Sequence, residues 1–353
     1  MSERTAKQPP FEIGEEKVAP GTRQTVNLPV SVLSDHTPVS MSVHVVHGRH
    51  AGPTVFVSAA IHGDEVIGVE IVRRLLRTAG LKSMKGTLLT IPIVNTFGFM
   101  SHSRYLPDRR DLNRSFPGSP TGSLASRLAH IFMEQIVSKS DLGIDLHSAA
   151  IHRANLPQIR VNPSRPEILE LAQIFGAPLT LTSNVRPGSL REAAQEEDVD
   201  VLLYEGGEGL RFDEFAVRAG VSGILRVMRH LGMLPKKSPS KSKPKSRTIQ
   251  SRSSSWLRAP AGGLLRTHKN IGEEVSVGDL LGVISDPFGE VETEILVERA
   301  GLLIGRTNLP IVNEGDGLFH IAYINDRIDA EAQIDALTAQ LEEDALLDED
   351  EII

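Results

Sequence analysis

Four short polar clusters, each following an apolar run, hold most of the residues that could do chemistry. They are "HGDE" (62–65), "NTFGFMSHSRYLPDRRDLNRSFPG" (95–118), "HSAAIHR" (147–153) and "EGGEG" (205–209). His62 and Glu65 lie three apart where an apolar run gives way to a helical pattern, so both can reach one ion. His147 ends the run "GIDLH" and would complete a set of two histidines and one glutamate, a donor set used by catalytic zinc. The chain has no cysteine. Disulfides, thiolate sites and cysteine nucleophiles are therefore excluded, and a metal must be held by histidine and carboxylate. Hydrolysis at such a site also needs a base and a partner for the developing oxyanion. Glu205, straight after the apolar stretch "VDVLLY", is the candidate base, with Glu208 as its rival. Arg104, Arg109, Arg110 and Arg114 are candidates for the oxyanion and for a substrate carboxylate, because a guanidinium grips carboxylates through two parallel bonds. Each motif alone also has a plain structural reading: a hydrogen-bonded histidine, a capping glutamate, a solvated basic loop.

The elements that must position these residues alternate strand and helix. "TVFVSAA" (54–60), "GTLLTIPIV" (86–94), "DLGIDL" (141–146) and "VDVLLYE" (199–205) read as buried strands. "EVIGVEIVRRLLRTAG" (65–80), "GSLASRLAHIFMEQIV" (122–137), "PEILELAQIFG" (166–176) and "FDEFAVRAGVSGILRVMRHLGML" (212–234) read as amphipathic helices. Continuous apolar strands between such helices predict an α/β fold, a mostly parallel (mixed) sheet covered on both faces. In open sheets of this kind ligands bind beyond the carboxyl ends of the strands, which is where the four clusters fall.

At 353 residues the chain has room for one large domain or two ordinary ones. Its net charge of −7 argues against a surface built to bind nucleic acid. No apolar run is long enough for a membrane span or a secretory signal, so a cytoplasmic protein is expected. Residues 1–39 form an N-terminal segment and 40–235 the catalytic domain. "KKSPSKSKPKSRTIQSRSSS" (236–255) reads as a disordered basic linker; a nucleic-acid-binding tail is the sharper alternative, but the stretch has no aromatic residue to stack on bases. Residues 256–325 are glycine-rich and β-like, with a weak internal repeat: "VSVGDLLGVI" resembles "IVNEGDGLFHI". Residues 326–353 read as a short helix and an acidic tail.

Taken together, "HGDE", "SRY", "DLNRSFPG", "DLHSAA" and "YEGGEG" resemble the succinylglutamate desuccinylase and aspartoacylase family of zinc carboxypeptidase-like hydrolases. The resemblance implies that His62, Glu65 and His147 bind zinc. It implies that Glu205 is the general base and later the proton donor to the leaving amine, and that Arg104 polarises the substrate carbonyl. Asn113 and Arg114 match a pair that holds the substrate carboxylate, and Asn95 matches an asparagine near that pocket. The extra arginines and "HRANLPQIR" (152–160) suit members acting on varied N-acyl amino acids rather than on N-acetylaspartate alone. The segment after the linker resembles the barrel-sandwich fold of lipoyl and biotinyl domains. A carrier of that kind needs a lysine at its hairpin tip, and "DPFG" (286–289) has none; Lys269 lies in the other half.

The expected function is a zinc-dependent amidohydrolase that removes an acyl group from an amino acid or related small carboxylate. Its partner is a small molecule, not nucleic acid or membrane, and a homo-oligomer is compatible with it. The rivals are a metallocarboxypeptidase acting on peptides and a zinc-binding relative without turnover.

Overall fold

The computed structural model describes residues 8–162, 166–236, 248–324 and 329–342. The chain enters through a small hairpin, β1 (Phe11–Ile13) and β2 (Glu16–Val18), then two long strands, β3 (Thr22–Val32) and β4 (Pro38–His47). In β3, Val26, Leu28 and Val30 are buried and alternate with exposed residues, the period of a strand with one covered face. The N-terminal segment is thus an antiparallel margin of the main sheet, reaching past the boundary expected at residue 39.

Then come β5 (Thr54–Ala59), α1 (Ile67–Arg77), β6 (Thr87–Ile91), α2 (Thr96–Met100), α3 (Leu124–Gln135) and β7 (Leu142–His147). They lead to β8 (Arg153–Val161), α4 (Pro166–Phe175), β9 (Leu179–Thr182), α5 (Leu190–Glu196), β10 (Asp200–Glu208) and α6 (Glu214–His230). Strands β6, β5, β7 and β10 lie side by side and parallel. β4 joins antiparallel beyond β6, and β8 joins antiparallel beyond β10. The sheet is therefore parallel at its centre and antiparallel on both flanks.

Every residue of β7 is buried, as both faces are covered. Leu142, Ile144 and Leu146 pack into one core with α1, α4 and α6, while α3 and α5 close the other face. A period of two then turns Asp145 and His147 to the α3 and α5 side. On β10, Leu202 and Tyr204 take the first core, so Leu203 and Glu205 turn the same way as His147, with which Glu205 is in register. Helix ends are fixed locally: Ser123 caps α3 and Asp213 caps α6, each contribution on the order of 1 kcal/mol.

The chain continues with β11 (Ile249–Ser251), β12 (Ser254–Arg258), β13 (Gly263–Thr267), β14 (Glu274–Val275), β15 (Leu280–Ser285), β16 (Glu292–Leu296), β17 (Gly301–Thr307), β18 (Ile311–Val312), β19 (Gly317–Ala322) and α7 (Ala330–Glu342). β13, β15, β16 and β18 form a four-stranded antiparallel sheet. It shares a core, including Leu265, Ile284, Leu318, Phe319 and Ile321, with the strands opposite. Those opposite strands are not a free unit: β17 pairs with β8, so the large sheet runs β12-β19-β17-β8-β10-β7-β5-β6-β4-β3. This corrects the expectation of a lobe carried on a flexible tether. Of the expected linker, 237–247 lies outside the described residues, but Ile249–Ser251 pairs with β9 and Ser254 already belongs to β12. The segment's polar composition hid Ile249, which is buried beside Leu179 and Leu181. The turn from β15 to β16 is the "DPFG" hairpin, and Lys269 is paired with Glu273 at 3.3 Å. The expected helix near the C-terminus is α7, whose Leu337 and Leu341 join the core with α6; residues 343–353 lie outside the described residues. Among the described residues no helix is long and apolar enough to cross a membrane.

Candidate active site

His62 and Glu65 sit in the loop between β5 and α1. That loop presses against α2: a Cβ on Gly63 would lie 1.9 Å from the carbonyl carbon of Gly98, so neither loop could stand off without moving the histidine. His62, Glu65 and His147 are 3–4% exposed, and one ligand atom from each lies within 4.8 Å of the others. Glu65 sits between the rings: Oε1 is 2.8 Å from His62 Nδ1 and Oε2 is 2.6 Å from His147 Nδ1. The outer ring nitrogens meet carboxylates, His62 Nε2 at 3.1 Å from Asp111 and His147 Nε2 at 2.7 Å from Asp145. Ser58 donates to the other oxygen of Asp145.

This arrangement fits a metal ion. With an ion bound, carboxylates at Nε2 would hold the ring protons there and turn both Nδ1 lone pairs inward with the Glu65 oxygens. With no ion between them the three groups hold one another in their charged forms. Burial pushes Glu65 up, but His62 and His147 outweigh it and hold the carboxyl well below its usual range. Burial works against charge on His147 too, yet Asp145 and Glu65 raise it well above the usual value, and Glu65 and Asp111 raise His62. The carboxylates of Glu65, Asp111 and Asp145 thus surround the two rings with negative charge in a site nearly closed to water.

A cavity of about 230 Å³ opens over the cluster. Glu205 lines it; its Oε2 accepts from Asn155 Nδ2 at 2.8 Å and from Arg160 at 2.9 Å, while Oε1 has no partner among the described residues. Glu208, the rival, does not line the cavity. It accepts from the His152 amide and from Asn308, tying β10 to β17. Arg104 lines the cavity and is held by Asp111 at 2.9 Å and Glu65 at 3.3 Å. Asn113 and Arg114 line it as well, and Asn113 Oδ1 accepts from the Leu190 amide. Arg109 and Arg110 are exposed and outside the cavity, and Arg110 leans on Asp108. Asn95 is not among the residues lining the cavity. It is fully buried, its Oδ1 caps α2 at Gly98, and a Cβ on Gly98 would strike its Nδ2 at 2.5 Å; its work is to brace the loop that carries His62.

Several lining residues were missed: Asp145, Arg153, Asn155, Arg160, Arg186, Ser189, Arg191 and Trp256. Alternation along β7 could have found Asp145, two positions before His147. Arg186 and Arg191 lie in "NVRPGSLRE", whose position beside Asn113 is a tertiary fact. Arg114, Arg186 and Arg191 form no ion pair among the described residues. Burial first, then neighbouring Arg160, pushes Arg191 down to about 10. Burial, with Arg186 and Arg104, lowers Arg114 also.

A buried set of two histidines and a glutamate, beneath a cavity at the carboxyl edge of a mixed sheet, defines a metallohydrolase-like class. The family model of the succinylglutamate desuccinylase/aspartoacylase catalytic domain matches residues 51–231, just over half of the chain, and the chain belongs to that family. The N-alpha-acetyl-L-2,4-diaminobutyric acid deacetylase of Halomonas elongata is 27% identical over 287 residues, covering 78% of this chain and 84% of that protein. The crystal structure of a succinylglutamate desuccinylase/aspartoacylase from Rhodobacter sphaeroides matches with a TM-score of 0.75 at 25% identity, over 86% of this chain and 96% of that one. The product-bound ectoine utilization protein EutE (DoeB) of Ruegeria pomeroyi shares the fold, with a TM-score of 0.77 at 23% identity over 91% of this chain and all of that one.

Proposed function

We propose that the chain is a zinc-dependent deacylase that cleaves the amide of a small N-acyl amino acid. The observation that carries this is Glu205: one oxygen is fixed by Asn155 and Arg160, and the other is without a partner in the cavity that His62, Glu65 and His147 also line. His62, Glu65 and His147 would hold zinc, which supplies Lewis acidity toward a carbonyl oxygen and water. The free oxygen of Glu205 takes a proton from the attacking water and returns it to the amine nitrogen as the C–N bond breaks, so the proton count closes. Arg104, braced by Asp111, donates hydrogen bonds to the oxygen that gains charge. Arg114 with Asn113 grips the substrate carboxylate. The cavity is smaller than those that take drug-sized ligands, which supports a single amino-acid derivative rather than a peptide.

The Halomonas relative is named for a substrate whose side chain carries an amine. Here Arg186 and Arg191 line the cavity alongside Arg114, and of its three carboxylates Glu65 and Asp145 are engaged through both oxygens and Glu205 through one. That favours a neutral or acidic side chain over a cationic one. The test is amine release from a panel of N-acyl amino acids with aspartate, glutamate, glutamine and 2,4-diaminobutyrate side chains, with and without chelator. Chelator-sensitive turnover, fastest on the acidic or neutral members, is expected. Turnover of peptides alone, or of nothing in metal-replete protein, would defeat the reading.

A further inference from the structure

Strand order in the large sheet sets the cavity residues out in a row. Arg104, Asn113 and Arg114 follow β6, His62 and Glu65 follow β5, and His147 and Glu205 stand on β7 and β10. Arg153 and Asn155 open β8, and Trp256 stands on β12, three strands further out, yet lines the same cavity. Trp256 is the chain's sole tryptophan, and its ring is fixed. His320, its cross-strand partner, stacks on it with ring centroids 4.8 Å apart and planes 12° apart. His320 is in turn 2.9 Å from the Ser254 hydroxyl. The Arg153 guanidinium lies over the indole, 5.2 Å from its centroid, a favourable cation–π distance. A Cβ on Gly317 would lie 3.2 Å from Trp256 Cε3, so glycine there lets the ring sit down on β19. An indole held by its neighbours in this way is a wall rather than a lid. Ala149 and Ala150 also line the cavity.

We propose that Trp256 closes the acyl end of the cavity and restricts the acyl group to a short, uncharged chain. This rests on the deacylase reading. With the substrate carboxylate at Arg114 on one flank and the scissile amide at the middle of the row, the acyl group extends toward the opposite flank, where Trp256 stands. The C-terminal strands then complete the site as well as extending the sheet.

The test compares wild type, Trp256→Ala and Trp256→Phe on L-glutamate carrying formyl, acetyl, butanoyl, hexanoyl or succinyl groups. Wild type should lose kcat/KM as the chain lengthens. The hexanoyl-to-acetyl ratio should rise about 10- to 100-fold in Trp256→Ala, the scale on which a pocket discriminates by size, with Trp256→Phe between. An unchanged ratio overturns the wall. So does a wild-type preference for succinyl that Arg153→Ala abolishes, because the acyl end would then bind a charge. A readout without turnover separates this proposal from the one beneath it. In Glu205→Gln protein the Trp256 emission should shift on adding N-acetyl-L-glutamate and not on adding the hexanoyl compound at equal concentration. If wild type hydrolyses none of the series, the deacylase reading fails, and the emission still decides the wall: no shift with the acetyl ligand overturns it.

Discussion

The cluster of His62, Glu65 and His147 and the arginine group line one cavity and follow opposite rules. In the cluster, both Glu65 oxygens and all four ring nitrogens of His62 and His147 have polar partners within 3.1 Å. On the other side Arg114, Arg186 and Arg191 gather without an ion pair among the described residues; Asp111 acts on Arg114, and Glu205 and Asp145 act on Arg191, only from longer range. Of the three, Arg191 is the one drawn partly out of water, where a cation without an ion pair is costly. The first group is arranged as a metal site could be, and under the proposed function the second suits an anion. A substrate with a carboxylate near its amide satisfies both at once.

The comparison is broken most severely at Glu205, which belongs to neither group. Glu205→Gln keeps the bonds from Asn155 and Arg160 possible but removes the base. We expect a loss of roughly 100-fold or more in kcat with metal content unchanged, measured by amine release alongside elemental analysis. If Glu208→Gln loses as much and Glu205→Gln stays active, the base has been misplaced.

A smaller effect sharpens the anion side. Arg114→Ala should lower kcat/KM on acyl amino acids by about 10- to 100-fold, the worth of a charge-assisted hydrogen bond, and leave their amide or ester analogues nearly untouched. Equal losses on both kinds of substrate would make Arg114 part of the scaffold, beside Asn113 and Leu190, rather than a carboxylate clamp.

The smallest effect lies in the wall between the two lobes. Burial, then the nearby Arg160, pushes His320 down to about 3, so the folded protein keeps it neutral while the unfolded chain protonates it near 6.5. Below pH 6.5 the unfolded state binds the extra proton, and stability is lost as pH falls from there toward 3. His320→Gln should blunt the loss of unfolding free energy between pH 7 and 5 by an amount on the order of 2 kcal/mol, measured by denaturant unfolding followed through Trp256 emission. A variant as acid-sensitive as wild type would show that His320 does not report this loss.

The catalytic half was legible because its signals are local. Apolar runs ended at His62, His147 and Glu205, and strand geometry does place those side chains on one edge of the sheet. Arg104 and Arg114, singled out from the motifs around them, line the same cavity. A polar residue after an apolar strand, such as Asn95, looks alike in sequence whether it faces a ligand or caps a helix; its contact with Gly98 is a matter of packing. The seam between the lobes was hidden for a different reason. Pairing of β17 with β8 joins residues 155 and 305, and no local pattern encodes a register across that separation. Trp256 reaches the cavity through that pairing, so its place was hidden with it.

The central claim is that His62, Glu65 and His147 hold the ion on which turnover depends. It is tested most directly by stripping the metal with chelator and adding zinc back in measured steps while following N-acyl amino acid hydrolysis. Activity should rise in proportion to bound zinc and stop at about one equivalent per chain, as expected for one three-residue set, and His147→Ala should neither bind that equivalent nor recover. Full activity in the stripped protein, or zinc at full occupancy in His147→Ala, would contradict it.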